Sequence, residues 1–289
     1  MKRSCLYKVI QSLSSTYPVQ ALCKLAQVSR SGYYKWLSRP DEGTAKQQRD
    51  RQLTQWILDG FRKTKGIYGY PRMTAWLRRE HGCCVNHKRV YRLMKQAGIQ
   101  ALIRQKKRYW KNICEGNKAE NLLNREFTAE RPNEKWVTDI TYLPYNGKHL
   151  YLSAIQDLFS KEIVAYQISE RNDLSLVLDT VKQAVKKEGV TGVLIHSDQG
   201  FQYTSHKYKD LLQQYTMKRS MSRRGNCLDN ACMENFFSHL KAECLYLNRF
   251  SSKVELIQAI HSYIRFYNEE RIQCGLNNLS PAEYRAQAA

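Results

Sequence analysis

The sequence lacks any apolar run approaching the roughly 18 residues that a bilayer-spanning helix requires. Its opening stretch, MKRSCLYKVIQSLSSTYP, is broken by polar side chains where a secretory signal would carry an apolar block. A membrane-embedded or secreted protein is therefore not expected, and a cytoplasmic one is. Acidic residues are scarce: 26 Asp and Glu face 47 Lys and Arg, a formal charge of +21. That excess calls for a polyanionic partner, above all nucleic acid. No CxxC pair occurs, and nine cysteines, an odd number in 289 residues, do not make a disulfide framework. Reduced thiols are the expectation. In His81-Gly-Cys83-Cys84-Val-Asn-His87 the cysteines are adjacent and no second ligand pair follows at finger spacing, so zinc is not expected. Low-complexity tracts and strict repeats are also missing. What is present is ample core material, 42% hydrophobic, over a length that suits about two domains.

The positive charge is uneven. Residues 1–130 hold 27 basic and 9 acidic side chains, whereas residues 131–289 hold 20 and 17. A basic nucleic-acid-binding region joined to a near-neutral second domain is the simplest organisation. Within residues 1–45, Leu22, Leu25 and Val28 keep helical spacing, Ser29 is suited to cap a following helix, and Tyr33, Trp36 and Leu37 continue the apolar stripe. This predicts a helix-turn-helix-like segment. Residues 46–103 hold a second such unit. Its first helix enters at Tyr68-Gly-Tyr-Pro, and its second is capped by Asn86 and closed by Gly98, with Val90, Leu93, Met94 and Ala97 as the buried stripe. Lys88, Arg89, Arg92 and Lys95 fall off that stripe and are candidates for DNA phosphate. Residues 104–130, with the run Arg104-Gln-Lys-Lys-Arg108, read as a basic linker.

From residue 131 to 289 the pattern is α/β. Lys135–Leu143 is β-branched and aromatic, Asn146-Gly147 is a hairpin signal, and strands are expected over His149–Ile155 and Glu162–Ile168. A helix over Asp173–Glu188, a short buried strand over Gly192–Asp198, and helices near Asp229–Glu243 and Val254–Tyr267 complete the domain. This order matches a ribonuclease-H-like core. Asp139 lies inside an apolar strand, where an ionised carboxylate is costly unless paired or metal-bound. Asp198 ends another strand, the usual place for ligands in α/β sheets. Glu234 lies on a helix with Lys241 two turns further along the same side. Lys218-Arg-Ser-Met-Ser-Arg-Arg-Gly225, including Arg223 and Arg224, reads as a basic loop suited to DNA. Among competing groups, Asp157 suits a turn cap, Asp229 a helix N-cap, and Glu243 faces away from Glu234. His196 either tunes the site or packs, and Tyr267-x-x-x-Arg271 is structural.

Asp139, Asp198 after 58 intervening residues and Glu234 after 35 more resemble the DDE triad of retroviral-integrase-like transposases. The words Trp136-Val-Thr-Asp-Ile-Thr-Tyr142, His196-Ser-Asp-Gln-Gly200 and Asn230-Ala-Cys-Met-Glu-Asn-Phe-Phe-Ser-His-Leu-Lys241 resemble the bacterial IS-three group of insertion-sequence transposases. So does the tail Tyr267-Asn-Glu-Glu-Arg271, although Gln273 stands where that group often carries His. The resemblance spans roughly residues 17–285 and is to the second-frame (OrfB) product. It implies a ribonuclease-H-like core behind a helix-turn-helix region. It also implies metal-dependent cleavage and strand transfer of DNA without a covalent enzyme intermediate. Asp139 would bridge two Mg2+ ions, with Mn2+ as a substitute, and Asp198 and Glu234 would each hold one. Lys241, with Lys88, Arg89, Arg92, Arg223 and Arg224, would contact DNA. The implied partners are the element's terminal inverted repeats, target DNA, further copies of the chain on DNA, and an upstream-frame fusion partner. The implied location is a bacterial cytoplasm, at the nucleoid.

Overall fold

The computed structural model describes residues 3–38, 45–101, 119–124, 126–223 and 227–288. Arg224 and the basic run 104–108 lie outside the described residues.

Helices α1 (Arg3–Leu13), α2 (Val19–Leu25) and α3 (Arg30–Leu37) close around Ile10, Cys23 and Tyr33. Ser29 caps α3 as expected, its hydroxyl accepting the Gly32 N–H at 3.1 Å. A second helical unit comprises α4 (Ala45–Lys63), α5 (Tyr70–His81) and α6 (His87–Gln96). Leu53 and Ile57 of α4 meet Met73, Trp76 and Leu77 of α5 and Val90, Leu93 and Met94 of α6. Asn86 caps α6 through the Lys88 N–H at 2.9 Å. Gly82, at φ 59°, takes the left-handed conformation that ends α5 and turns the chain into α6.

The remaining elements are β1 (Lys135–Tyr145), β2 (Lys148–Asp157), β3 (Ile163–Ser169), α7 (Leu174–Glu188), β4 (Leu194–Ser197), α8 (His206–Gln214), β5 (Lys218–Met221), α9 (Ala231–Leu240), α10 (Lys253–Glu269) and α11 (Pro281–Ala286). The strands form one sheet in the order β3-β2-β1-β4-β5. The first three are antiparallel, and β4 and β5 join in parallel. The β1–β2 turn is Asn146-Gly147, both at positive φ. One face of the sheet packs on α9 and α10 through Val137, Leu143 and Leu152. The other packs on α7 and α8 through Trp136, Ile155 and Ile195.

Several elements differ from the expectations. The basic stretch 218–225 opens as a strand, with Ser220 and Met221 buried beside β4. Its Lys-Arg start masks the pattern. The helix expected to reach Glu243 ends at Leu240 and passes into a π-turn over Lys241–Leu245. Asp229 is not an N-cap. It lies in a 3-10 turn, fully buried, and Arg223 claims it by its backbone N–H (2.9 Å) and guanidinium (3.1 Å). Residues 119–124, read as part of a linker, pack onto the sheet domain. Leu123 is buried in its core, and the Leu123 N–H donates to Ser220 at 3.0 Å.

The second helical unit rests on the chain that follows α10. The Tyr68 hydroxyl accepts the Ile272 N–H at 2.9 Å and donates to the Glu270 carbonyl at 3.3 Å. Ile272 itself is buried in the helical unit's core. Arg79 pairs with Glu283 at the edge of this joint.

Candidate active site

The sheet register brings the first two acids together. In the parallel β1–β4 ladder the last pair is Val137 opposite His196. Two residues beyond it on each strand come Asp139 and Asp198. Both line one cleft of about 180 Å³ with Tyr142, Tyr151, Asn172 and Gln202. Asp139 alternates with Val137 and Leu143, so it points to the face covered by α9. Its Oδ1 accepts the N–H of Ile140 at 2.7 Å. Asp198 accepts the Gly200 N–H at 2.9 Å, and a Cβ on Gly200 would stand 3.0 Å from that oxygen. The missing side chain lets the loop fold tightly around the carboxylate. Gln202 donates to the Asn172 side chain at 2.6 Å, linking the two loops at the mouth.

Glu234 occupies the first turn of α9. Met233, Phe236, Phe237 and Leu240 bury the other side of that helix, and the Asn230 side-chain amide ties its start to the Thr138 carbonyl at 3.3 Å. Glu234 is not among the cleft's lining residues, but it stands near enough to repel both aspartates. Burial, then the charges of Asp198 and Glu234, push Asp139 well above the usual carboxylate range. Burial raises Asp198, and burial and Asp198 raise Glu234. Three crowded acids whose mutual repulsion and burial outweigh the nearby charge of Lys241 are what a divalent cation would relieve. The cleft's charged donors are carboxylates, with no thiolate or imidazole among its lining residues. That hard oxygen set suits Mg2+. Among the described residues, no three Asp, Glu, His or Cys side chains are gathered tightly enough to cage an ion alone. Lys241 lies on the same side, its Nζ 4.6 Å from the centre of the Tyr142 ring and its charge felt by Asp139.

Of the other basic candidates, Lys88 is exposed on α6. Arg89 and Arg92 both reach Asp50 of α4, at 2.8 Å. Arg223 is exposed but engaged with Asp229. His196 is a packing residue: it is buried between the Ser220 and Ser222 hydroxyls, at 2.8 and 3.0 Å, and burial lowers its pKa to about 4. Asp157 caps its turn, accepting from the backbone and hydroxyl of Ser160. Glu243 points away from the cleft to the buried Arg271. Sequence reasoning missed Asn172 and Gln202 as cleft residues, since they come from loops 30 positions apart. Tyr142, three residues past Asp139 in the same strand, was within its reach.

This arrangement, a five-stranded mixed sheet with one acid within β1 and another just past the end of the adjacent β4, behind a helical DNA-binding-type unit, defines an integrase-core protein. Models described as integrase core domains match residues 129–227 and 234–288, and a model described as an HTH-like domain matches residues 47–107. The chain is 44% identical over 285 residues to the IS150 InsK transposase of Escherichia coli K12, covering 97% of this chain and 98% of that one. It is 33% identical over 281 residues to the IS3A InsF transposase of the same strain, covering 96% and 97%. It therefore belongs to the insertion-sequence transposase family. A solved catalytic core of HTLV-2 integrase, in complex with magnesium, aligns over 54% of this chain and 98% of its own, with a TM-score of 0.46 and 17% identity.

Proposed function

We propose that the protein binds the ends of its own insertion sequence and cuts and joins DNA strands there, with Asp139, Asp198 and Glu234 as the catalytic acids. The observation that carries this reading is the pair of aspartates lining one cleft, Asp139 within β1 just past its pairing with β4 and Asp198 just past the end of β4, with Glu234 close enough for its charge to act on Asp139. The three carboxylates would hold divalent cations, Mg2+ with Mn2+ as a substitute, and two ions suit the chemistry. When bound, such ions lower the pKa of water and offset charge on the attacking and leaving oxygens. Asp139 and Asp198 line the cleft that receives the scissile phosphate, and the Gly200 N–H fixes the Asp198 carboxylate. Glu234 closes the set from α9. Lys241, beside Tyr142, holds a neighbouring phosphate as a point charge. For strand joining, the same groups orient a DNA 3′-hydroxyl for in-line attack, with the departing strand's oxygen leaving opposite.

Recognition of the element's ends falls to the helical units, with Lys88, Arg89 and Arg92 on the phosphate backbone. Arg223 and Arg224 contact DNA near the cleft. Two ends must be held at once, so several copies act together on DNA. The upstream-frame fusion belongs to the same reading, as does a bacterial cytoplasmic location at the nucleoid.

The test is cleavage and joining of labelled duplex carrying the element's end with Mg2+, comparing wild type with Glu234→Gln, which keeps shape but removes charge. Loss of both steps in the variant, at least about a hundredfold, is expected of a metal-holding acid. Equal activity in the two proteins would remove Glu234 from the assignment.

A further inference from the structure

Asp50 is the acidic residue to which two α6 arginines turn. One of its oxygens accepts from Arg89 Nε at 2.8 Å and lies 2.6 Å from a second nitrogen of that guanidinium. The other accepts from Arg92 at 2.8 Å. Lys46 and Arg49, exposed on α4, line the same open cleft as the two arginines, with a volume of about 420 Å³. Four cations thus line one cleft, and the Asp50 carboxylate engages two of them. A single carboxylate cannot neutralise four cations, and the arginine side chains remain 32% and 46% exposed.

Holding α4 to α6 does not require this ion pair. Leu53 and Ile57 already pack against Val90, Leu93 and Met94. Ion pairs this exposed contribute only about 0–1 kcal/mol. Two guanidinium groups on the two oxygens of one anion is instead the arrangement that the non-bridging oxygens of a phosphodiester satisfy. The cleft also borders the exposed face of α6 that carries Lys88, Tyr91 and Lys95.

We propose that the cleft between α4 and α6 is a binding site for a DNA backbone phosphate, formed by Lys46, Arg49, Arg89 and Arg92, whose seat Asp50 occupies in the free protein. On binding, the phosphate takes the two arginines and the Asp50 carboxylate returns to water. Asp50 keeps the arginine fork extended and aimed before DNA arrives. It also weakens every encounter with DNA, since its ion pair must be given up. This rests on the reading of the helical unit as DNA-binding.

The experiment is a titration of the full chain with a fluorescent duplex of arbitrary sequence, read by anisotropy between about 50 and 200 mM salt. Asp50→Asn should bind about three- to tenfold tighter than wild type, with a salt slope steeper by about 1. Lys46→Gln and Arg49→Gln, both at exposed positions, should each bind about threefold more weakly at the upper salt concentration. Unchanged or weaker binding by Asp50→Asn, at an unchanged melting temperature, would make Asp50 a mere tether and overturn the proposal. Full affinity in the Lys46 and Arg49 variants would overturn it independently, even were Asp50→Asn to misfold. Wild-type protein that fails to bind the duplex at any salt concentration would overturn the DNA-binding reading itself.

Discussion

The ion pair between Glu243 and Arg271 carries an unusual share of the structure, and breaking it should be expensive. Arg271 is 1% exposed and gives both arms of its guanidinium to the two oxygens of Glu243, at 2.8 and 2.6 Å. The Tyr263 hydroxyl donates to the same carboxylate at 2.9 Å, and Arg72 approaches from the second helical unit at 3.8 Å. Replacing Glu243 by Gln keeps the volume but leaves a buried guanidinium uncompensated, a loss of about 3–5 kcal/mol. At about 2–4 °C per kcal/mol for a domain of this size, 3 kcal/mol already lowers the melting temperature by roughly 6–12 °C. Replacing both partners by Met should recover much of that, because the penalty comes from the stranded charge. Burial alone would raise the Glu243 pKa, but the hydrogen bond and charge of Arg271 outweigh it and hold the carboxyl below its ordinary value of 4.5. A depressed carboxyl stabilises the fold above its unfolded pKa. That contribution is lost as the pH falls below 4.5 and through the lower folded value. Thermal melts of wild type, Glu243→Met, Arg271→Met and the double Met variant, with Glu243→Gln beside them, at neutral and acid pH, form the required cycle. A single-variant loss under about 1 kcal/mol, or single losses that simply add, would refute the argument.

Two further perturbations test the site and the helical unit. The three acids of the cleft have folded pKa values raised by burial and mutual repulsion, so the metal-free fold loses stability as pH rises from the ordinary carboxylate range through those higher values. Mg2+ at about ten times its dissociation constant should restore roughly 1.4 kcal/mol at neutral pH. Asp139→Asn should abolish that upshift while raising the melting temperature of the metal-free protein; an equal Mg2+ upshift in the variant would place the ion elsewhere. In α4, a Cβ on Gly60 would stand 2.6 Å from the Trp76 ring. Overpacking of about 1–3 kcal/mol then outweighs the roughly 1 kcal/mol helix-propensity gain of Gly60→Ala. A urea midpoint that rises instead would show that Trp76 yields.

The parts of this structure that were legible in the sequence are those whose signal is local. Ser29 and Asn86 cap helices by reaching two or three residues ahead, and Asn146-Gly147 announces its turn unaided. Asp139 stood out because a charge interrupts β-branched neighbours. Local signals failed where a distant group competes. Asp229 looked like a cap until Arg223 claimed it, and β5 begins Lys-Arg because its start faces solvent while Ser220 and Met221 are buried. The π-turn at Lys241–Leu245 has no compositional mark at all. Asp50 with Arg89 and Glu243 with Arg271 are separated by 39 and 28 residues, beyond any helical or strand period.

The candidate site shows the same division within a single feature. Each aspartate announces itself by its own strand, but their adjacency depends on β4 inserting beside β1 in parallel, with Val137 facing His196. A shift of that register by one residue would turn the intervening side chains to the opposite faces and separate the acids. The register is held away from the acids by residues with no part in the chemistry. Trp136 and Ile195 are buried on one face, and His196 is hydrogen-bonded to Ser220 and Ser222 across β5. His196 thus belongs to the scaffold that sets where Asp198 emerges. Burial depresses its pKa to about 4, so it is neutral near pH 7, as a scaffold imidazole held between two hydroxyls requires.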